Sequence, residues 1–286
     1  AAARHNGQVN LTLCAHLALS LQTKTMKVNN NLIFTFSATG NSLHVAQRVA
    51  ETLHAQVNEI DKCLEQKNLT FNITSKNISI GFVFPVYFWG LPTIVRQFVE
   101  LLTLEGKKPA YVYDIVTFGT SLGEVHQQLR LSLSKKGITL NGNFGVRMVD
   151  VWTPMFDVSN KERCLKRTLQ AETEIKDVIA QIKERKNGRR HWSTLPHFIS
   201  MFETWLYPSA RRTKHFHVIN DRCTGCGLCA RQCPASAIQL NEQHVPEWHK
   251  AECIACLRCL HHCPHFAIQY GKNTIKHGQY LHQTYK

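Results

Sequence analysis

No stretch of this chain approaches the ~18 consecutive apolar residues that a membrane-spanning helix needs. The one segment with any targeting character is Leu11–Leu21 (LTLCAHLALSL). It is short, contains His16, has only Arg4 and His5 as a basic flank, and lacks a clear cleavage site, so secretion is disfavoured. Nucleotide-binding glycine patterns are also missing. There is no G-x4-G-K-[ST] and no G-x-G-x-x-G, which argues against a nucleoside triphosphatase and an ordinary dinucleotide fold. No side chain stands out as an acid–base or nucleophilic catalyst. Acidic residues are scarce: 20 Asp and Glu face 34 Lys and Arg, a net charge of +14. The excess is uneven, because residues 161–217 carry 13 Lys/Arg against 6 Asp/Glu. A basic stripe suits nucleic acid, an acidic partner or an anionic membrane, although a solvated connecting helix needs none of these. No nucleic-acid reader motif accompanies the stripe, so nucleic acid is disfavoured.

At 286 residues, with 43% hydrophobic content, the chain can bury one large or two ordinary cores. Short apolar, β-branched and aromatic runs predict strands at Leu32–Phe36, Val57–Ile60, Ile78–Phe84, Tyr111–Thr117 and Asn143–Val149. Helical patterns fall between them at Ser42–His54, Leu91–Leu104 and Leu122–Lys136, and a charged helix is expected from about Ser159 to Lys186. The Asn/Thr-rich stretch Lys62–Asn77 predicts an irregular crossover. Alternation of this kind predicts a doubly wound α/β domain with a five-stranded parallel sheet over residues 26–187. Residues 1–25, which precede Met26, are expected outside the fold. Residues 188–217, with two prolines, many charges and interleaved aromatics, read as a basic linker.

Residues 218–286 contain a repeat of period 30. CTGCGLCARQCPASAIQL (Cys223–Leu240) aligns with CIACLRCLHHCPHFAIQY (Cys253–Tyr270). Eight of the 11 cysteines lie here, each unit reading C-x2-C-x2-C-x3-C-P. Zinc takes CxxC pairs, but it explains neither the third x2-spaced cysteine nor the Cys-Pro ending, each present twice. A tight loop with three such cysteines suits three corners of a cubane cluster. Gly225 and Gly227 allow close backbone approach in the first unit; Ala255 and Leu257 take those places in the second. Pro234 and Pro264 end each motif. Cys14, Cys63 and Cys164 are scattered and read as plain thiols. His261, His262 and His265 read as surface residues among 16 histidines.

The motif pair resembles the bacterial 2[4Fe-4S] ferredoxin domain. In that family the fourth cysteine of each motif ligates the other cluster. The resemblance therefore implies Cys223, Cys226, Cys229 and Cys263 as ligands of one [4Fe-4S] cluster. It implies Cys233, Cys253, Cys256 and Cys259 as ligands of the other.

The first strand runs into FSATGNS. Its hydroxyls at Ser37, Thr39 and Ser42, with Asn41 and the backbone around Gly40 at a helix start, suit one terminal phosphate. A capped strand–helix turn would have the same composition. The loop resembles the flavodoxin sequence [ST]-x-T-G-[NS]-[ST], which holds the phosphate of FMN. Two further loops fit that resemblance. The segment FPVYFWGLP supplies Pro85, Tyr87, Phe88, Trp89 and Gly90, and TFGTSLGE supplies Phe118, Gly119 and Gly123. An isoalloxazine ring needs an apolar slot with aromatic faces. The whole is similar to the EFR-type flavodoxin–ferredoxin fusion proteins of anaerobic microbes. That resemblance implies a flavodoxin-like domain followed by a small α+β ferredoxin domain, a cytoplasmic setting, FMN, two clusters and electron transfer between redox partner proteins. The basic balance departs from free ferredoxins, which are acidic, and suggests acidic partners. A flavin-dependent reductase and a flavin-free iron–sulfur sensor module are the other readings open to this sequence.

Overall fold

The structure, a computed structural model, describes residues 25–188 and 206–285. The expectations for residues 1–24, Cys14 among them, and for most of the linker lie outside the described residues. The central sheet contains β2 (Leu32–Thr35), β3 (Gln56–Glu59), β5 (Ser79–Pro85), β7 (Tyr111–Phe118) and β8 (Gly142–Arg147). Their spatial order is β3-β2-β5-β7-β8, and every neighbouring pair is parallel. The order reverses between β2 and β5, so the loops after those two strands diverge and leave a crevice at the carboxyl edge.

Two cores cover the sheet. Phe34, Phe82, Phe84 and Val116 point to one face, where α3 (Thr93–Leu101) and α4 (Val125–Ser134) pack. Ile33, Val83, Ile115 and Val146 point to the other, against α1 (Asn41–Leu53) and α5 (Lys161–Lys183). Coverage on both faces is why β7 is buried along its whole length and reads as an apolar run rather than an alternation.

A second, three-stranded parallel sheet was not expected. It joins β1 (Thr25–Val28), β4 (Thr70–Ile73) and β6 (Thr103–Gly106) in the order β1-β4-β6. β1 starts at the last residue of the segment expected outside the fold. The crossover at 62–77 is more ordered than its composition suggested: it ends a short helix, α2 (Ile60–Glu65), and then forms β4. The helix expected to reach Leu104 stops at Leu101. Leu102 turns extended, and Thr103 N–H donates to Leu69 O at 2.8 Å. Pairing with β4 offers residues 103–106 a ladder, which outweighs one further helical turn. Phe71 and Ile73, fully buried, anchor this sheet to the main core.

The C-terminal domain is small. β9 (Phe216–Val218) starts two residues before the expected boundary at 218 and pairs antiparallel with β12 (Ile268–Tyr270). Between them lie α6 (Leu228–Arg231), a hairpin of β10 (Ile238–Leu240) and β11 (Pro246–Trp248), and α7 (Arg258–His261). Helices α6 and α7 are related by the 30-residue period, as are strands β10 and β12. A single turn, α8 (Thr274–His277), leads into a tail that returns to α1. Among the described residues, no helix is long and apolar enough to cross a membrane.

Candidate functional site

The loops after β2, β5, β7 and β8 surround a cleft of about 150 Å3. Of the residues expected there, Ser37, Thr39, Asn41, Ser42, Pro85, Tyr87, Phe88, Trp89, Phe118 and Gly119 line it, and Gly40, Gly90 and Gly123 do not. Each of these three glycines has another task. Gly40 sits at the start of α1 with φ +97°, and a Cβ there would lie 2.6 Å from the Tyr285 ring. Gly90 closes a tight turn by exchanging two backbone hydrogen bonds with Tyr87. Gly123 lets the loop after β7 run against Trp89, whose carbonyl oxygen would be 2.2 Å from an added Cβ. In the turn closed by Gly90, Phe88 and Trp89 both hold positive φ, +48° and +64°. Such backbone costs non-glycine residues of order 1–3 kcal/mol and persists only where the surroundings enforce it. Here Phe88 stacks on Tyr207 at 5.3 Å and meets Trp152 edge-on at 4.9 Å.

The phosphate-type loop is oriented by the other domain. Arg258 donates to Ser37 O (2.7 Å), His262 Nε2 to Ala38 O (2.9 Å), and the His282 N–H to Thr39 O (2.8 Å). Tyr285 OH adds a second bond to Ser37 O at 3.2 Å. Three successive carbonyls are thus turned outward. Among the described residues, the N–H groups of Ala38, Thr39, Asn41 and Ser42 have no protein acceptor, while Gly40 N–H takes the Ser37 hydroxyl. No side chain caps the start of α1. A concave run of free N–H groups at a 13-residue helix start, lined by three buried hydroxyl side chains, fits a phosphate. Aromatic walls fit a flat apolar ring above it.

The histidines of the second motif were expected on the surface, and two of them are not. His261 is 2% exposed. Its Nε2 donates to Val151 O (2.9 Å), and its Nδ1 accepts from Tyr280 N–H (3.2 Å). Burial holds it neutral, its pKa pushed down to about 4. His262 is half-buried on the phosphate loop; His265 is exposed.

The structure gathers the eight motif cysteines into two cavities. Cys223, Cys226, Cys229 and Cys263 share one, and Cys233, Cys253, Cys256 and Cys259 share the other. Among the described residues, no three His, Cys, Asp or Glu side chains converge on a single-ion site. Backbone N–H groups reach sulfur in both units: Ala237 to Cys233 (3.4 Å), Ala255 to Cys253 (3.3 Å) and Ala267 to Cys263 (3.3 Å). Such donors favour thiolates, whereas burial, only partly offset by Arg258, leaves the Cys256 thiol raised to about 12. Buried sulfur with N–H support fits a multi-iron group that brings its own positive charge. The loop of the second unit copies the first despite lacking glycine. Ala255 and Leu257 hold φ +53° and +56°, where Gly225 and Gly227 hold +69° and +70°.

Sequence reasoning missed the fourth loop of the cleft, residues 148–158, including Asp150, Trp152, Met155 and Phe156. Its aromatic and proline content, at the end of the fifth strand, was an available signal. It also missed Ala255, Cys256 and Leu257, which cross from the C-terminal domain into the cleft wall. Cys256 and Leu257 line both the cleft and the second cysteine cavity.

The tail carries a pH dependence. Burial and the neighbouring His44 push the pKa of His282 down to about 4. An unfolded or released tail takes up its proton near 6.5. The tail's attachment is therefore complete above pH 6.5 and weakens as pH falls toward 4. Limited proteolysis at pH 7.5 and 5 should show faster cleavage near 278–285 at the lower pH. A His282→Asn variant should lose most of that difference.

The chain matches two family models: a "Flavodoxin domain" over residues 32–174 and a "4Fe-4S dicluster domain" over residues 216–264. A comparison with curated proteins finds no match. Solved structures similar in part include rubredoxin oxygen:oxidoreductase from the anaerobe Desulfovibrio gigas, at 17% identity and TM-score 0.33, covering 56% of this chain and 37% of that one. A flavoprotein from Bacteroides uniformis matches at 22% identity and TM-score 0.30, covering 44% and 94%. The apo form of an NADH:FMN oxidoreductase matches at 13% identity and TM-score 0.30, covering 59% and 92%. This chain thus spans well under half the length of the first of these proteins.

Proposed function

Because the chain belongs to the flavodoxin family and continues into a 4Fe-4S dicluster domain, we propose that it is an electron-transfer protein holding FMN and two [4Fe-4S] clusters in one polypeptide. The observation that carries this reading is the shared wall. Cys256 and Leu257 belong at once to the cleft and to the second cysteine cavity, so the two share one wall of protein. A flavin exchanges two electrons and a cubane one, so a chain with both can join two-electron and one-electron partners.

The residues have separable tasks in this proposal. Ser37, Thr39, Asn41, Ser42 and the free N–H groups hold the phosphate; Tyr87, Phe88, Trp89, Phe118 and Trp152 wall the ring. Cys223, Cys226, Cys229 and Cys263 hold one cluster, and Cys233, Cys253, Cys256 and Cys259 the other. Leu257 keeps water from the wall between them. The basic run 161–217 favours acidic redox proteins as partners, and thiolate-rich cluster chemistry favours the reducing cytoplasm.

Anaerobic purification followed by flavin, iron and sulfide assays tests the proposal. About one FMN and about eight irons per chain are expected from one flavodoxin site and two cubanes. Eight irons without flavin, even after FMN is added, would leave an iron–sulfur interaction module instead. Thr39→Ala with Ser42→Ala should lower flavin content and leave iron unchanged; equal loss of both would signal misfolding. Rapid reoxidation of the flavin by a defined small molecule would favour the reductase reading.

A further inference from the structure

A larger cavity, about 510 Å3, adjoins the cleft on the outer side of the loop after β8. The two share Gly119, Asp150, Met155 and Phe156 in their walls. Met155, 69% exposed, stands at the shared mouth. A molecule seated in the larger cavity therefore touches residues that also face the cleft.

The lining charge is lopsided. Arg147, Arg163, Lys166 and Arg167 contribute four cations, and Asp150 and Asp157 two acids. These cations are not neutralised by one another's partners. Arg167 gives one nitrogen to Glu174 at 2.5 Å, but its buried Nε has no partner among the described residues. Arg147 donates from Nε to Gly119 O (2.9 Å) and has no carboxylate within ion-pair distance among the described residues. Lys166 has no acidic partner among them either. Arg163 lies 3.9 Å from Asp157, a weak exposed pair. Asp157 itself is held by the Ser159 N–H at 2.8 Å. With the Glu174 carboxylate on Arg167 counted, the cavity keeps a surplus of about one positive charge, with planar guanidinium forks that suit tetrahedral oxyanions.

We propose that this cavity binds the phosphate group of a small-molecule phosphate ester, with Arg163, Lys166 and Arg167 on the anion and the rest of the molecule directed past Met155 and Phe156 toward the cleft. An anionic phosphate suits the surplus positive charge, and the shared wall places its organic part where the proposed flavin ring would be reached. The direction toward the cleft rests on the flavin reading; the anion site does not. A concave cavity of about 510 Å3 favours a small molecule over an acidic protein surface.

Titration calorimetry at pH 8 and low ionic strength tests the site, with inorganic phosphate as the probe and chloride as the background anion. In the FMN-loaded chain the phosphate loop is filled, so binding there does not compete. One phosphate should bind per chain. Arg163→Gln with Lys166→Gln should weaken it at least tenfold without changing flavin content, since Arg163 is largely exposed and both changes keep the helix. Equal binding by that double variant, or none by the parent chain, overturns the proposal. The Thr39→Ala/Ser42→Ala variant should keep phosphate binding; its loss would place the anion on the loop and overturn the proposal. Binding of poly-glutamate but not of phosphate, with the same sensitivity to Arg163 and Lys166, overturns it in favour of an acidic protein surface. A chain that takes up no flavin but binds phosphate through Arg163 and Lys166 defeats the flavin reading and leaves this site standing.

Discussion

Cys233→Ser is expected to remove about four of eight irons and to disturb the cavity formed by residues 253–259, not the one formed by its own motif. The reason is geometric. Cys233 follows the short helix α6 and lies in the cavity of Cys253, Cys256 and Cys259, while Cys263 lies with Cys223, Cys226 and Cys229. The two units trade their fourth cysteine because a helical turn separates it from the tight loop that presents the first three. Matched N–H donations, from Ala237 and Ala267, hold the two fourth cysteines alike. Single serine variants at Cys223, Cys233, Cys253 and Cys263 would be reduced and compared by electron paramagnetic resonance. Cys233→Ser and Cys253→Ser should share one spectrum, and Cys223→Ser and Cys263→Ser the other. Matching spectra for Cys233→Ser and Cys223→Ser would show instead that each motif fills its own site. Loss of all iron in every variant would mean that one cluster does not form without the other.

The parallel sheet was legible because its five strands are short, apolar and separated by helical periods, and because both faces are covered. The cysteine framework was legible because its spacing repeats. What escaped reading depends on contacts distant in sequence. β1, β4 and β6 are four-residue strands, β1 and β6 largely exposed, and only mutual pairing makes them strands. Leu104 fits a helical period until Thr103 finds Leu69. His261 and His262 look like surface histidines in a basic, polar run, yet the fold presses them onto Val151 and Ala38. Gly40, Gly90 and Gly123 were grouped with the ligand-facing residues because flexible loops suit close approach. They instead admit Tyr285, close a turn on Tyr87 and admit Trp89. The loop at 148–158 went unread because it follows the last strand of the domain.

Arg258 makes the strongest single claim on both stability and function. The residue is 8% exposed, and its guanidinium bridges the domains: Asp61 Oδ2 at 2.5 Å, Ser37 O at 2.7 Å and Gln232 O at 3.3 Å, above the Phe36 ring at 5.5 Å. Burial works against its charge, but the Asp61 carboxylate outweighs that, and the group is held above its ordinary value. Arg258→Met would leave the Asp61 carboxylate buried without its cation, a loss of about 3–5 kcal/mol for a broken buried pair. Asp61→Asn added to Arg258→Met should recover more than half of that loss, because the uncompensated charge is then gone. Denaturant unfolding of the three proteins measures this. Flavin content should not recover in parallel. Ser37 O loses its 2.7 Å donor in both variants and keeps only the 3.2 Å bond from Tyr285 OH, so the array of N–H groups for a phosphate is held less firmly. The double variant should therefore regain more than half of the lost stability yet bind FMN several-fold more weakly than the parent chain. Full recovery of FMN affinity together with stability would reduce Arg258 to a structural tie. Failure of the double variant to regain stability would show that Ser37 and Gln232, not the ion pair, carry the cost.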